Sequence, residues 1–378
     1  MCRFMIFKGR ESMVLSDLLT KPAHSIINQS FDSRLRLDMR NPINGDGFGV
    51  GYYTEHHEPC VFKAITPAWN NVNLNNLSHC TESSLVFGHV RASTQGVLSE
   101  TNCHPFSFGK LMFMHNGGIS CFDKIKKKLI NHLEDKYFLL IQGSTDSECC
   151  FALFLDTLDK MGYDPEDKET VFSHIVLKTA ILKTIELVKN WQLEVTTEPS
   201  LLNFAATDGE SIVVSRYITS KTDEAASLHF STGSRFFEYQ PGLFKMERLN
   251  RSQDVIFVAS EPLTFERGDW LCVPTNTLIT ITNKNTVLMH PIEDEFYDGG
   301  VIERSSGLAM SKGLMGGVPQ AEDEAIASSN GSAISSIKSS SAGEKYTEEK
   351  LLPSIGVPTQ VPPLEREGRA PFYKTVVH

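Results

Sequence analysis

Cys2 follows the initiator methionine, and removal of Met1 would leave a thiol and a free α-amine on one Cα. An α-amine has a pKa of about 8, so part of it is neutral near pH 7 and can take the thiol proton without a second residue. The same cysteine also suits a plainer role, as a small apolar residue in an N-terminal strand. Three downstream segments carry groups that would complement a cysteine nucleophile. Arg91 ends an apolar run and precedes Ala92, Ser93, Thr94, Gln95 and Gly96. A guanidinium there can clamp a carboxylate through two parallel hydrogen bonds, or serve a structural ion pair. Asn116 and Gly117 follow the apolar run 111–114, where a side-chain amide and backbone N–H groups can converge on an oxyanion, or else form a hairpin turn. Thr145 and Glu148 have capping-box spacing, which puts Asp146 in a first helical turn, either to complement the helix dipole or to bind an ammonium.

These positions need a scaffold that gathers them. Residues 2–7 have the apolar and aromatic character of a buried strand. Residues 15–30, interrupted by Lys21 and Pro22, read as a short helix and a loop. Glycines 45, 47, 49 and 51 form a turn entering a strand, requiring positive φ or close approach of another segment. No GK[ST] follows them, so they are not a phosphate loop. A short strand spans 85–87, and Asn102 to Pro105 form a polar turn. Ile125, Leu129, Leu133 and Tyr137 recur at helical spacing over 122–140, beside a solvated face of Lys124, Lys126, Lys127 and Lys128. A second helix spans about 170–191.

The chain then turns to strands. Segments 201–206 and 212–217 flank Asp208 and Gly209, and segments 236–239 and 243–246 flank Pro241 and Gly242, both hairpin signals. Further strands cover 255–259, 278–282 and 286–289. Strands, then helices, then strands predict an α+β fold with two sheets and helices packed on them, not regular βαβ alternation. From about 305 the composition shifts to Gly, Ser, Ala, Glu and Lys, with prolines later. The expectation is a folded domain over 2–304 and a low-complexity, disordered tail over 305–378.

A chain of 378 residues with 40% hydrophobic content can bury a large core. Its net charge of −10 gives no bulk footprint for nucleic acid or an anionic membrane, and neither partner is expected. With no signal segment and no apolar run near membrane-spanning length, the chain reads as cytoplasmic. The eight cysteines include no CxxC pair, which favours reduced thiols over a disulfide framework or structural zinc. No metal and no cofactor are expected.

Taken together and in order, Met-Cys-Arg at the start, the glycine turn 45–49, Arg91 to Gly96, Asn102 to Pro105, His115 to Gly117, and Ser144 to Glu148 resemble the class II glutamine amidotransferase domain. The resemblance covers most of residues 2–291 and implies a four-layer αββα N-terminal-nucleophile hydrolase sandwich. It implies Cys2 as nucleophile and, through its freed amine, as base, with Asn116 and Gly117 as the oxyanion hole. It further implies Arg91 on the substrate α-carboxylate, Asp146 on the α-ammonium, and Thr94, Gln95 and Gly96 at neighbouring pocket positions. Gln95 departs from the histidine often found in the sugar-synthase branch, and His104 and His115 read as structural.

The low-complexity character of 305–378 leads to the expectation that the chain carries no synthase or isomerase domain. The full length, including Gly313 to Gly316 and residues 362–368, resembles the amidotransferase-like subunits of fungal cytosolic glutathione-degrading complexes. That resemblance implies γ-glutamyl cleavage of glutathione and a peptidase-like, WD-repeat-containing partner subunit. Glutamine or another γ-glutamyl amide is the alternative substrate, and a catalytically silent assembly subunit the alternative role.

Overall fold

The computed structural model describes residues 2–35, 43–92, 97–249 and 253–317. The apolar start extends into a twelve-residue strand, β1 (Arg3–Val14). Two short helices follow, α1 (Leu15–Leu19) and α2 (Ile26–Gln29), where the sequence suggested one helix and a loop. Lys21 and Pro22 separate them, and the second restarts because the Ser25 side chain accepts Asn28 N–H at 3.2 Å.

Next come β2 (Phe48–Tyr52), β3 (Cys60–Ala64), α3 (Val72–Cys80), β4 (Glu82–Val90), β5 (Phe106–Phe108) and β6 (Leu111–Gly118). Helices α4 (Phe122–His132), α5 (Asp135–Phe138), α6 (Asp146–Lys160) and α7 (His174–Leu193) precede β7 (Leu201–Thr207) and β8 (Ile212–Arg216). The remaining elements are β9 (His229–Gly233), β10 (Arg235–Gln240), β11 (Leu243–Glu247), β12 (Val255–Ala259), β13 (Leu271–Cys272), β14 (Thr277–Ile281), β15 (Val287–Pro291) and α8 (Gly307–Ser311).

The strands pair as a seven-stranded sheet, β13-β9-β12-β1-β4-β2-β3, a six-stranded sheet, β15-β14-β8-β7-β6-β5, and the hairpin β10-β11. Alternation along β1 decides the layering. Phe4 and Ile6 face between the sheets, with Met112, Met114, Ala205, Val214 and Ile256. Met5 and Phe7 face the other way, onto Leu15, Leu18, Leu19 and Ile26 of the short helices. On the far side of the second sheet, Phe113, Leu202 and Phe204 pack against Leu129, Leu153, Phe154 and Ile181 of the long helices. Three apolar cores therefore separate four layers, helix, sheet, sheet, helix, as expected.

Two departures matter. The helix expected over 122–140 breaks at Leu133, whose ψ of 143° is extended. The Asp156 carboxylate accepts Glu134 N–H at 3.0 Å there, so Leu133 and Tyr137 stay buried but on separate turns. The composition change near 305 also comes before the packed structure ends. Ala309, Leu314 and Met315 are buried against Leu201, Ile218, Ala225 and Ala226, so the domain boundary drawn at 304 is too early. Residues 318–378 lie outside the described residues.

Candidate active site

Cys2 immediately precedes β1 and opens into a cavity of about 280 Å³ lined also by Arg91, Ala92, His104, Gly117, Gly118, Asp146, Ser147, Glu198 and Lys312. Its thiol points at the Ala92 carbonyl, 3.8 Å away. Burial pushes the thiol up from its ordinary value, against the opposing pull of the positive chain terminus, the Ala92 contact and Arg91. A thiol held up in this way needs a base to become a nucleophile at neutral pH.

Arg91 stands just past the end of β4, the strand beside β1. The glycine turn fixes it: Arg91 N–H donates to Gly47 O at 2.8 Å, and Asp46 N–H donates to Arg91 O at 3.1 Å. Gly47 has a φ of 107°, a backbone state that side-chain-bearing residues avoid. Gly49 has no room for a side chain, because a Cβ there would strike the His104 carbonyl. The guanidinium is buried and donates to Asp46 O at 3.4 Å, while still reaching the cavity.

Asp146 opens α6, and the Thr145 hydroxyl caps that helix by accepting Glu148 N–H at 3.3 Å. The reciprocal half of the capping box does not form. Glu148 instead turns back to accept Gln142 N–H at 2.9 Å and Gly143 N–H at 2.6 Å, closing the loop that leads to the aspartate. Asp146 itself accepts Ile119 N–H at 2.9 Å and Ser147 N–H at 2.8 Å, which leaves carboxylate lone pairs for a ligand.

Asn116 and Gly117 are not a turn. They lie within β6, opposite Asn203 and Leu202 of β7, so ladder pairing overrides the Asn-Gly turn signal. Gly117 lines the cavity, and a Cβ on it would strike the Leu201 carbonyl. Asn116 is buried, and its Nδ2 donates to Ser260 Oγ at 3.1 Å. Its Oδ1 has no hydrogen-bond partner among the described residues.

Three buried histidines, His89, His104 and His115, lie at or near the cavity, which His104 lines. His89 and His104 stack at 4.2 Å between centroids, His104 Nδ1 accepts His115 N–H at 3.3 Å, and His115 bridges Ser147 Oγ and Leu201 O at 2.9 and 3.0 Å. Burial lowers all three below the ordinary imidazole value, so they stay neutral near pH 7 and act as packing and hydrogen-bonding groups.

Cys2, Arg91, Gly117 and Asp146 are thus gathered in one cavity, with Asn116 in the strand that forms its edge. Thr94, Gln95 and Gly96 lie outside the described residues. Sequence reasoning missed Ser260, Glu198 and Lys312. No motif marks Ser260. For Lys312 the signal was the glycine-flanked apolar run Gly313, Leu314, Met315 and Gly316 inside a serine-rich stretch.

A cysteine beside a buried cation, a helix-start carboxylate and a strand glycine fits the nucleophile site of an amidotransferase. The family described as class-II glutamine amidotransferases matches residues 15–295. The chain belongs to that family, whose members are enzymes of the amidohydrolase type. Along its whole length it is 58% identical to the probable glutamine amidotransferase DUG3 of Saccharomyces cerevisiae, covering 100% of this chain and 99% of the yeast protein. A shorter stretch, 23% of this chain and 13% of the relative, is 36% identical to the glutamine–fructose-6-phosphate aminotransferase of Bartonella henselae. Among solved structures, a glutamine aminotransferase class-II domain protein from Silicibacter pomeroyi shares the fold, with a TM-score of 0.51 and 22% identity over 78% of this chain and 100% of that one.

Proposed function

We propose that the chain cleaves a γ-glutamyl amide through a thioester on Cys2. The observation that carries this reading is the shared cavity, which Cys2, Arg91 and Asp146 all line. A γ-glutamyl head carries a carboxylate, an ammonium and an acyl carbon at constrained separation, so a fixed cation and anion can deliver that carbon to a fixed thiol. After Met1 is removed, the Cys2 amine takes the thiol proton and the sulfur attacks the acyl carbon. The resulting oxyanion is held by Gly117 N–H and the Asn116 amide. Collapse breaks the C–N bond, and the amine's proton goes to the leaving nitrogen. Water then attacks the thioester, giving its proton back through the same amine and releasing glutamate and the free thiol.

For the substrate we favour glutathione, with glutamine as the second reading. Support comes from the full-length resemblance to the subunits of glutathione-degrading complexes. The same reading makes a peptidase-like, WD-repeat-containing subunit its partner and the cytoplasm its location. The test is intact mass of the mature protein, alone and with that partner, after exposure to a γ-glutamyl electrophile. One adduct on Met1-free protein, absent from Cys2→Ala, is expected. Retained Met1, or labelling that survives Cys2→Ala, would sink the mechanism. Rates on glutathione and glutamine with the same preparation choose the substrate.

A further inference from the structure

We infer that Lys312 reads the leaving side of the scissile amide, selecting substrates whose departing amine carries a carboxylate. The inference rests on the γ-glutamyl reading above and adds to it the chemistry of the other half of the substrate.

Lys312 lines the same cavity as Cys2, Arg91 and Asp146. It comes from a different part of the chain, immediately after α8, and its position is built. On one side, Ser305 N–H donates to Thr222 O at 2.6 Å and Glu224 N–H to Ser305 O at 2.9 Å. On the other, Ser227 N–H donates to Leu314 O at 2.8 Å and Gly317 N–H to Leu35 O at 2.6 Å. Gly316 N–H donates to Ser227 Oγ at 2.9 Å, and Gly316 sits so close to Glu261 that a Cβ would strike its side chain. Ala309, Leu314 and Met315 bury the apolar side of this segment. The lysine is therefore held at the cavity wall by anchors before and after it.

Charge counting gives the ligand class. The γ-glutamyl head brings one carboxylate and one ammonium, which Arg91 and Asp146 complement. Glutamine brings no further charge, since its leaving group is ammonia. A γ-glutamyl peptide brings a third charge, the carboxylate at its other end. Lys312 supplies the matching cation, and among the described residues no carboxylate lies within ion-pair distance of it. Glu198 lines the cavity too but is exposed, where solvent screens it more than it screens the half-buried lysine.

The test uses the full chain with its partner subunit and measures kcat/KM on glutathione and on its glycyl ethyl ester, which lacks the terminal carboxylate. Lys312→Gln should lose about tenfold to a hundredfold on glutathione, the range of one charge-assisted hydrogen bond, and stay within about twofold on the ester. Lys312→Arg should recover most of the glutathione rate. Equal losses on both substrates, or none on either, overturn the inference while leaving the Cys2 chemistry standing. If the wild type cleaves neither substrate, the glutathione reading fails and the inference falls with it; if Cys2→Ala cleaves both, the Cys2 thioester reading fails.

Discussion

The Asn116 amide and the Ser260 hydroxyl meet at 3.1 Å across 144 residues of sequence, and the same hydroxyl accepts Phe4 N–H at 3.1 Å. Ser260 therefore ties the proposed oxyanion donor to the strand that begins one residue after the proposed nucleophile, Cys2. Ser260→Ala would leave both donors buried without an acceptor. A stability loss of about 1–3 kcal/mol is expected, read as a lower urea midpoint at constant slope. The rate should fall with it, because the amide loses its tether. An unchanged midpoint would mean that the hydroxyl holds nothing.

Asn116 can be probed directly. Asn116→Ala removes a side-chain donor that the proposed mechanism uses once charge develops on oxygen, so kcat should drop about 10²–10³-fold with little change in KM. A rise in KM at constant kcat would instead assign Asn116 to ground-state binding.

How far the sequence reached can be judged from these residues. Apolar strand character and turn chemistry are local, so β1, the Asp208-Gly209 hairpin and the Thr145 cap could be read from short windows. Asn116-Gly117 shows the limit: the dipeptide carries a turn signal, but pairing with Asn203 and Leu202 is a long-range fact that outweighs it. Glu148 had the right spacing to return to its own cap, yet the Gln142 and Gly143 donors took it. Ser260 and Lys312 were hidden for a related reason. Each is held by partners far away in sequence, and a segment rich in Ser and Gly looks unstructured until its few apolar residues find a surface.

Glu148 offers a test of the loop that presents Asp146. Glu148 is 7% exposed and its carboxylate satisfies two backbone donors, so Glu148→Ala would release the 142–143 loop and misplace the proposed ammonium site. KM for γ-glutamyl substrates should rise about tenfold, the cost of one weakened charge-assisted contact, with a smaller effect on kcat. Glu148→Gln keeps one acceptor oxygen and should recover part of the loss. Equal behaviour of the two variants would remove the carboxylate from the argument.

The buried histidines predict acid sensitivity. Burial lowers His89 to about 3 from its ordinary 6.5, so the unfolded chain takes up a proton that the folded chain refuses. Stability is then fully present above about pH 6.5 and falls as pH drops toward 3, with a slope of up to about 1.4 kcal/mol per pH unit per group. His89→Phe keeps a ring against His104 and removes that proton. Its urea midpoint should depend less steeply on pH between 6.5 and 5 than the wild type's, and an identical slope would exclude His89 as the source.

Arg3 and Glu261 set the last expectation. Arg3 Nε donates to the Glu261 carboxylate at 2.6 Å, and its NH1 donates to Asn44 Oδ1 at 2.7 Å, all within the protein interior. Burial alone would raise the Glu261 carboxyl, but Arg3, His24 and the Ser33 hydroxyl outweigh it and hold the group below its ordinary 4.5. Its contribution is thus present above about pH 4.5 and lost as pH falls through the lower folded value. Arg3→Met strands a buried carboxylate and should cost about 3–5 kcal/mol, whereas the double variant Arg3→Met, Glu261→Leu should cost clearly less, because desolvation opposes most of what the pair gains. Arg3 also follows Cys2 directly, so the double variant separates two roles. If it regains stability but not rate, the ion pair positions Cys2, the proposed nucleophile; if it regains both, the pair only fills interior space.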